Sequence, residues 1–384
     1  MRIACIIHSL DGGGAERVIA ALASRLAERQ HEVTLFTLDD GLHNRHDLSP
    51  AVQRRSLNVM SNSRSLWQRL QNTRRRVNSI HNALFDGQQF DVVLSFCDRT
   101  NILTLMAGRR NGQTPVVISE RSDPAQQRLG RIGEWMRDRA YPQAATIVAL
   151  TETSATHLRS RFQVPIEVIA SAVDTPPHPS NRKTAIANKR IVGVGRLEHE
   201  KGFDRLIDAF ASLTPLAPDW SLRLLGEGSL RTQLERQVDQ LGLTSRVEFA
   251  GWVRPIWNEL SEATLFALPS RYEGFPSALL EAMAMGVPSV SVDCESGPRA
   301  ILQQEMGSGL LVPNDTQSLA DGIRQLIEDG ELRESLGNNG RNVVDRFGWD
   351  AMVDRYEQVL QRNLTERNSE TGDHNPIKQL SPRD

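Results

Sequence analysis

Lysine is almost missing from this chain of 384 residues: it stands only at Lys183, Lys189, Lys201 and Lys378, so nearly all positive charge is arginine. A net charge of −2 gives no bulk attraction to a polyanion, and no nucleic-acid partner is expected. Cysteine is scarce too. Cys5, Cys97 and Cys294 are scattered, form neither a disulfide framework nor a metal-ligand spacing, and fit a reducing cytoplasm. No apolar run approaches the ~20 residues a membrane-spanning helix requires. Met1-Arg2 followed by Ile3 to Ile7 runs straight into glycine-rich sequence; it lacks the apolar segment and cleavage site of a signal peptide and reads as a first β-strand.

What is present is a regular rhythm of short apolar runs and amphipathic helical patterns. At roughly 150 residues per domain the length suggests two domains. Runs at Ile3 to Ile7, Val33 to Leu38, Asp91 to Phe96, Val116 to Ser119 and Ala145 to Leu150 read as buried parallel strands. After Ser171 three prolines fall among polar residues, and at Arg190 the strand rhythm restarts, with further strands near Ser221 to Leu225, Arg246 to Phe249, Thr264 to Leu268 and Val287 to Val292. The expected fold is α/β, with two doubly wound Rossmann-like domains and a cleft between them. The domains should span 1–170 and 190–348, joined by a linker at 171–189. A helix pattern at 349–363 follows, with Met352, Tyr356 and Leu360 on one face, and 364–384 has too little apolar content to order.

Two segments carry the chemistry. Between a strand ending at Pro269 and another starting at Val287 lie Glu273-Gly274-Phe275-Pro276-Ser277 and, one turn into a helix, Glu281. Ser277 is a good N-cap, and a helix starting there aims unpaired N–H groups and its positive dipole end at the strand carboxyl ends, an anion site. An acidic first turn that merely satisfies the dipole accounts for this segment equally well. Val192 to Gly202 then places Arg196 and Lys201 after a neighbouring strand, where a guanidinium and an ammonium together can neutralise a diphosphate without a metal. Two solvated cations at a turn are the plainer alternative.

These segments resemble the GT-B-fold retaining glycosyltransferases of family 4, the group 1 transferases of bacterial polysaccharide and glycolipid synthesis. Gly195-Arg196-Leu197 to Lys201-Gly202, Leu225-Gly226-Glu227-Gly228, Phe249-Ala250-Gly251 and the two glutamates separated by seven residues occur in that family's order over Arg190 to Phe347. The resemblance implies that Arg196 and Lys201 bind the diphosphate of a nucleotide sugar, with a UDP-sugar as donor. Glu281 would hold the ribose, and Glu273 with the backbone of Gly274 to Ser277 the transferred hexose or N-acetylhexosamine. The base would contact Gly251 to Arg254, including Val253. It further implies that the leaving phosphate takes the acceptor proton, that neither cofactor nor metal is needed, and that the final helix crosses back to the first domain.

In the first half, Asp11-Gly12-Gly13-Gly14-Ala15-Glu16-Arg17 follows the first strand and opens a helix. Its glycines fail the G-x-G-x-x-G spacing of dinucleotide sites. In the family this loop faces the donor phosphates, so Gly13 and Gly14 are assigned to the site. Several members carry a histidine where this chain has Glu120 in Ser119-Glu120-Arg121, a sequence familiar from the exopolysaccharide and O-antigen branch. Glu120 is therefore expected beside the transferred sugar, a loop ion pair with Arg121 being the alternative.

The stretch from Arg64 to Arg76 clusters five arginines on a pattern that puts Leu66, Leu70, Val77, Ile80 and Leu84 on one stripe, with Trp67 nearby. Such a segment can rest on an anionic bilayer, although an ordinary core-facing stripe with solvated arginines has the same pattern. With the resemblance, it points to peripheral contact at the cytoplasmic membrane face and an acceptor glycan on polyprenyl diphosphate. Two other functions remain open: a nucleotide-sugar epimerase or hydrolase on the same fold, and an NAD-dependent oxidoreductase resting on the glycine loop and Asp39.

Overall fold

The computed structural model describes residues 1–61, 65–87, 90–109, 114–178, 182–303 and 307–372. Two parallel sheets are built as the apolar runs suggest. The first contains β1 (Arg2–Ile7), β2 (Glu32–Thr37), β3 (Gln53–Ser56), β4 (Val92–Phe96), β5 (Val116–Ser119), β6 (Thr146–Ala149) and β7 (Ile166–Val168), in the order β3-β2-β1-β4-β5-β6-β7. The second contains β8 (Arg190–Val194), β9 (Ser221–Leu225), β10 (Val247–Gly251), β11 (Leu265–Leu268), β12 (Ser289–Val292) and β13 (Leu310–Val312), in the order β10-β9-β8-β11-β12-β13. Both sheets reverse their winding beside the first strand of the domain, between β1 and β4 and between β8 and β11. At such a switch point the flanking helices diverge and leave a crevice over the strand carboxyl ends.

The strands missing from the sequence reading are β3, β7 and β13, each of three or four residues and each at a sheet edge or paired only at one. β3 reads Gln-Arg-Arg-Ser and has no apolar run; pairing with β2 in parallel, from Thr34↔Gln53 to Thr37↔Ser56, makes it a strand. The linker also holds more structure than its prolines suggest. Its residues Arg182–Ala187 form a helix on the second domain, where Arg182 donates to the carbonyls of Ala263 and Thr264 and Ala185 is fully buried.

Each sheet is covered on both faces. Val18, Ile19, Leu22 and Leu26 of the helix Gly14–Glu28 pack on one face of the first sheet, and Ile80 and Leu84 of the helix Leu66–Leu84 belong to the core on the other. The closing helix runs Trp349–Gly372 and sends Trp349, Met352, Val353, Tyr356, Val359 and Leu360 into the first domain's core. Its polar contacts lock the same docking: Tyr356 Oη lies 3.0 Å from Ser119 Oγ, His31 Nε2 2.8 Å from Glu357 Oε1, and Asn363 Nδ2 donates to Thr146 Oγ1 at 3.0 Å. The expectation of disorder from 364 needs correction. A helix already nucleated and packed through Asn363 propagates at one hydrogen bond per residue, and it continues to Gly372 despite the polar sequence. Residues 373–384 lie outside the described residues.

Candidate active site

At the second domain's switch point, β8 leads into the loop of Arg196 and Lys201, and β11 leads into the loop of Glu273. The sheet therefore brings together side chains 72 residues apart: Lys201 Nζ donates to Glu273 Oε1 at 2.6 Å, and Ser270 Oγ donates to the same oxygen at 2.8 Å. Glu273 is only 8% exposed, so these partners stand in for most of its water. Gly202 makes the approach possible. Its φ is +66°, and a Cβ there would lie 2.2 Å from the Pro269 carbonyl oxygen, so any side chain would push the Lys201 turn away from β11. Arg196 does not join this pair. Its side chain is largely exposed and its Nη2 donates to Glu200 Oε1 at 2.9 Å, at the rim of the cleft.

The following helix spans Ser277–Ala284, with Pro276 in the N-cap position and no side-chain cap. Ser277 is thus the first helical residue and not the cap: the extended Pro276 carbonyl already accepts from the amides of Leu279 and Leu280. Proline offers no side-chain acceptor, so the first-turn N–H groups are not met by one. The glycine loop of the first domain ends the same way, in a helix Gly14–Glu28 whose N-cap Gly13 has no side chain. The two starts face each other; a Cβ on Gly14 would stand 3.9 Å from Ser277 Oγ. Two positive dipole ends therefore converge on one crevice, which favours an anion there.

The walls touch at several points. A Cβ on Gly274 would lie 2.7 Å from the Arg121 carbonyl oxygen and 2.9 Å from Ser122 Cα, so only glycine admits the first domain's backbone here. Phe275 is buried beside it, edge-on to Phe347 with ring centroids 5.3 Å apart. Gly251 ends β10 and turns the chain into Trp252 and the half-buried Val253. The Arg45 guanidinium sits 4.7 Å over the Trp252 ring, and a Cβ on Gly12 would be 3.1 Å from Trp252 Nε1. The segment expected to meet the base is therefore in contact with the glycine loop.

Glu281, expected to hold a ribose, is 2% exposed and already has two cations: Arg17 Nη1 at 2.9 Å from across the cleft, and Arg254 Nη1 at 3.4 Å. Arg254 ends the segment expected to meet the base, whereas the sequence assigns Arg17 no role, although it sits one helical turn beyond Gly13, the interval that puts two residues on one helix face. His46 was missed as well. Burial and then the Arg254 charge push its imidazole down to about 4, so it is neutral at ordinary pH. Burial works to raise the Glu16 carboxyl, but the hydrogen bond and charge of His8, 3.0 Å away, outweigh it and leave it below its ordinary value.

Glu120, expected beside the transferred sugar, turns its side chain into the first domain. It is 1% exposed and its carboxylate accepts a hydrogen bond from the Tyr141 hydroxyl within the first domain. Burial, with the nearby Asp98 charge, raises its carboxyl to about 7. The Arg64 to Arg76 stripe also divides: Val77, Ile80 and Leu84 enter the core, whereas Leu70 is 62% and Trp67 75% exposed. Arg76 donates to the carbonyls of Val59 and Ser61, while Arg69, Arg74 and Arg75 are exposed. Arg64 and the Leu66 side chain lie outside the described residues. Among the described residues no helix is long and apolar enough to cross a membrane.

Residues 180–343 match the family model described as glycosyl transferases group 1, and residues 12–176 match that of glycosyltransferase family 4. The chain is 30% identical over 247 residues to the lipopolysaccharide core biosynthesis glycosyltransferase LpsD of Rhizobium meliloti, covering 62% of this chain and 71% of that one. It is 26% identical, over 90% of its length and 94% of the relative's, to a Campylobacter jejuni enzyme named GalNAc-alpha-(1->4)-GalNAc-alpha-(1->3)-diNAcBac-PP-undecaprenol alpha-1,4-N-acetyl-D-galactosaminyltransferase. An exopolysaccharide phosphotransferase of Streptomyces coelicolor is 33% identical over 66% of this chain, which spans only 27% of that protein's length. Among solved structures, Anabaena HepE in complex with UDP and glucose superposes with a TM-score of 0.76 over 94% of this chain and 99% of its own, at 21% identity.

Proposed function

Since the chain belongs to the group 1, family 4 glycosyltransferases of GT-B fold, we propose that it transfers a hexose or N-acetylhexosamine, with retention, from a UDP-sugar to a lipid-linked glycan in polysaccharide or lipopolysaccharide synthesis. The observation that carries this is the Lys201–Glu273 pair at 2.6 Å, set at the second domain's switch point just ahead of a helix whose N-cap residue, Pro276, has no side-chain cap. Lys201 stabilises the charge that develops as the sugar C1–O bond breaks and its electron pair moves to the diphosphate oxygen. The acceptor oxygen forms the new bond to C1 on the same face, and its proton passes to that phosphate oxygen. Glu273 accepts from a hydroxyl of the sugar and so fixes its position. Countercharge comes from Lys201, with Arg196 swinging in from the rim, and no resident metal is invoked.

The lipid-linked acceptor is supported by the name of the Campylobacter relative, and the UDP donor by the ligand of the Anabaena structure. Trp67 and Leu70, exposed beside Arg69, Arg74 and Arg75, are the surface for peripheral contact with the inner membrane face. Thermal shift with a panel of nucleotide sugars tests the donor: one UDP-sugar should raise Tm in a concentration-dependent way. A response to NADH alone, or donor turnover at the same rate without any acceptor, would replace the transferase with an oxidoreductase or a hydrolase.

A further inference from the structure

Arg17 is the fourth residue of the Gly14–Glu28 helix, and its side chain leaves its own domain to reach Glu281. It is 9% exposed. One nitrogen, Nη1, serves Glu281 at 2.9 Å and stands 3.5 Å from Asp174. The other two, Nε and Nη2, are buried and have no hydrogen-bond partner among the described residues. Buried N–H groups are almost always paired, and leaving a charged donor unpaired costs more than leaving a neutral one. His46 Nε2 is buried without a partner as well, on a ring that feels the charges of both Arg17 and Arg254.

The charge balance around this point is also incomplete. Arg17 and Arg254 share the carboxylate of Glu281, and Asp174 is shared between Arg17 and Arg25, so these ion pairs join three guanidiniums to two carboxylates; the Glu16 carboxylate nearby is paired with His8. An oxyanion would supply both the missing charge and the missing acceptors. Guanidinium N–H groups are arranged in a rigid fork that suits two phosphate oxygens, which an ammonium cannot match. The place is the crevice where the starts of the Gly14 and Ser277 helices converge.

We propose that Arg17 is a donor-binding residue supplied by the first domain, holding Glu281 with Nη1 while Nε and Nη2 take phosphate oxygens of a nucleoside diphosphate. This rests on the transferase function proposed above and adds to it. The donor site is then complete only when the cleft is closed, because the second domain alone lacks one of its phosphate ligands. A donor bound to the second domain draws Arg17 in, and closure follows from the ligand's own charge.

The test is calorimetric binding of UDP to the full chain, with uridine measured by displacement of UDP. Arg17→Met should weaken UDP at least tenfold, about 1.4 kcal/mol, and change uridine less than twofold. Arg17→Lys, which keeps the charge and loses the fork, should fall between Met and the native residue, and it replaces the Met variant if that one does not fold. Equal losses for UDP and uridine would mean that Arg17 acts only by positioning Glu281, and unchanged UDP binding would exclude any contact; either overturns the proposal. Failure of the native chain to bind UDP, GDP or ADP would instead refute the nucleotide-sugar function itself.

Discussion

Glu273 and Glu281 bracket the entrance to one short helix, eight positions apart, yet they are held by different domains. Glu273 takes its partners, Lys201 and Ser270, from the second domain alone. Glu281 shares its charge between Arg254 of the same domain and Arg17 from across the cleft. The first arrangement exists whether the cleft is open or closed, because both loops hang from adjacent strands of one sheet. The second exists only when closed. One wall thus carries a preformed charge pair, and the contact between walls reports whether the other domain has arrived.

Single substitutions separate the two arrangements. The largest effect should come from Lys201→Ala, which removes the cation beside Glu273 and leaves it only Ser270: on the proposed role, sugar transfer falls about 10²–10³-fold, while scattering from the free protein shows the cleft unchanged. Full activity would remove Lys201 from the site. Glu281→Gln should have a smaller effect on turnover, of roughly tenfold, but should loosen the cleft, since a buried Arg17 left with an uncharged partner costs about 3 kcal/mol. An unaltered radius of gyration would erase the distinction between the two glutamates. Gly274→Val should cost several-fold in kcat/KM, through a side chain forced against the Arg121 carbonyl, with nucleotide affinity of the second domain retained.

The smallest effect is on pH dependence and concerns the first domain alone. Glu120 is raised from 4.5 to about 7, mainly by burial, so the folded state holds a proton that the unfolded chain releases. Stability from that protonated carboxyl is full below about 4.5 and is lost as pH rises through about 7. Glu120→Gln should therefore flatten the decline of Tm between about pH 5 and 7. An unchanged slope would show that Glu120 ionises in the fold and would return it to the list of charged groups near the cleft.

The second domain was the more legible of the two because its chemistry is local. Gly195 to Gly202 and Glu273 to Glu281 each hang from one strand, and the strand–loop–helix pattern says which end of the sheet they occupy. The first domain gave up less. Its glycine loop is visible, but Arg17 reads as an ordinary charged residue in a helical first turn, and nothing in the spacing of Arg17 and Glu281 reveals a contact spanning 264 positions. Glu120 shows the converse: its place in the loop is legible, but only the fold turns its side chain inward to Tyr141.

Two parallel α/β sheets, the closing helix and the loops at the second switch point are legible in the sequence alone, since apolar periodicity and glycine placement act over a few residues and survive without knowledge of the rest. The tertiary structure decided the edge strands β3, β7 and β13, the inward turn of Glu120, the separation of Arg196 from Lys201, and the reach of Arg17 to Glu281. Each of these depends on which surfaces come to face one another, and burial and charge pairing at a distance leave no periodic trace in a chain.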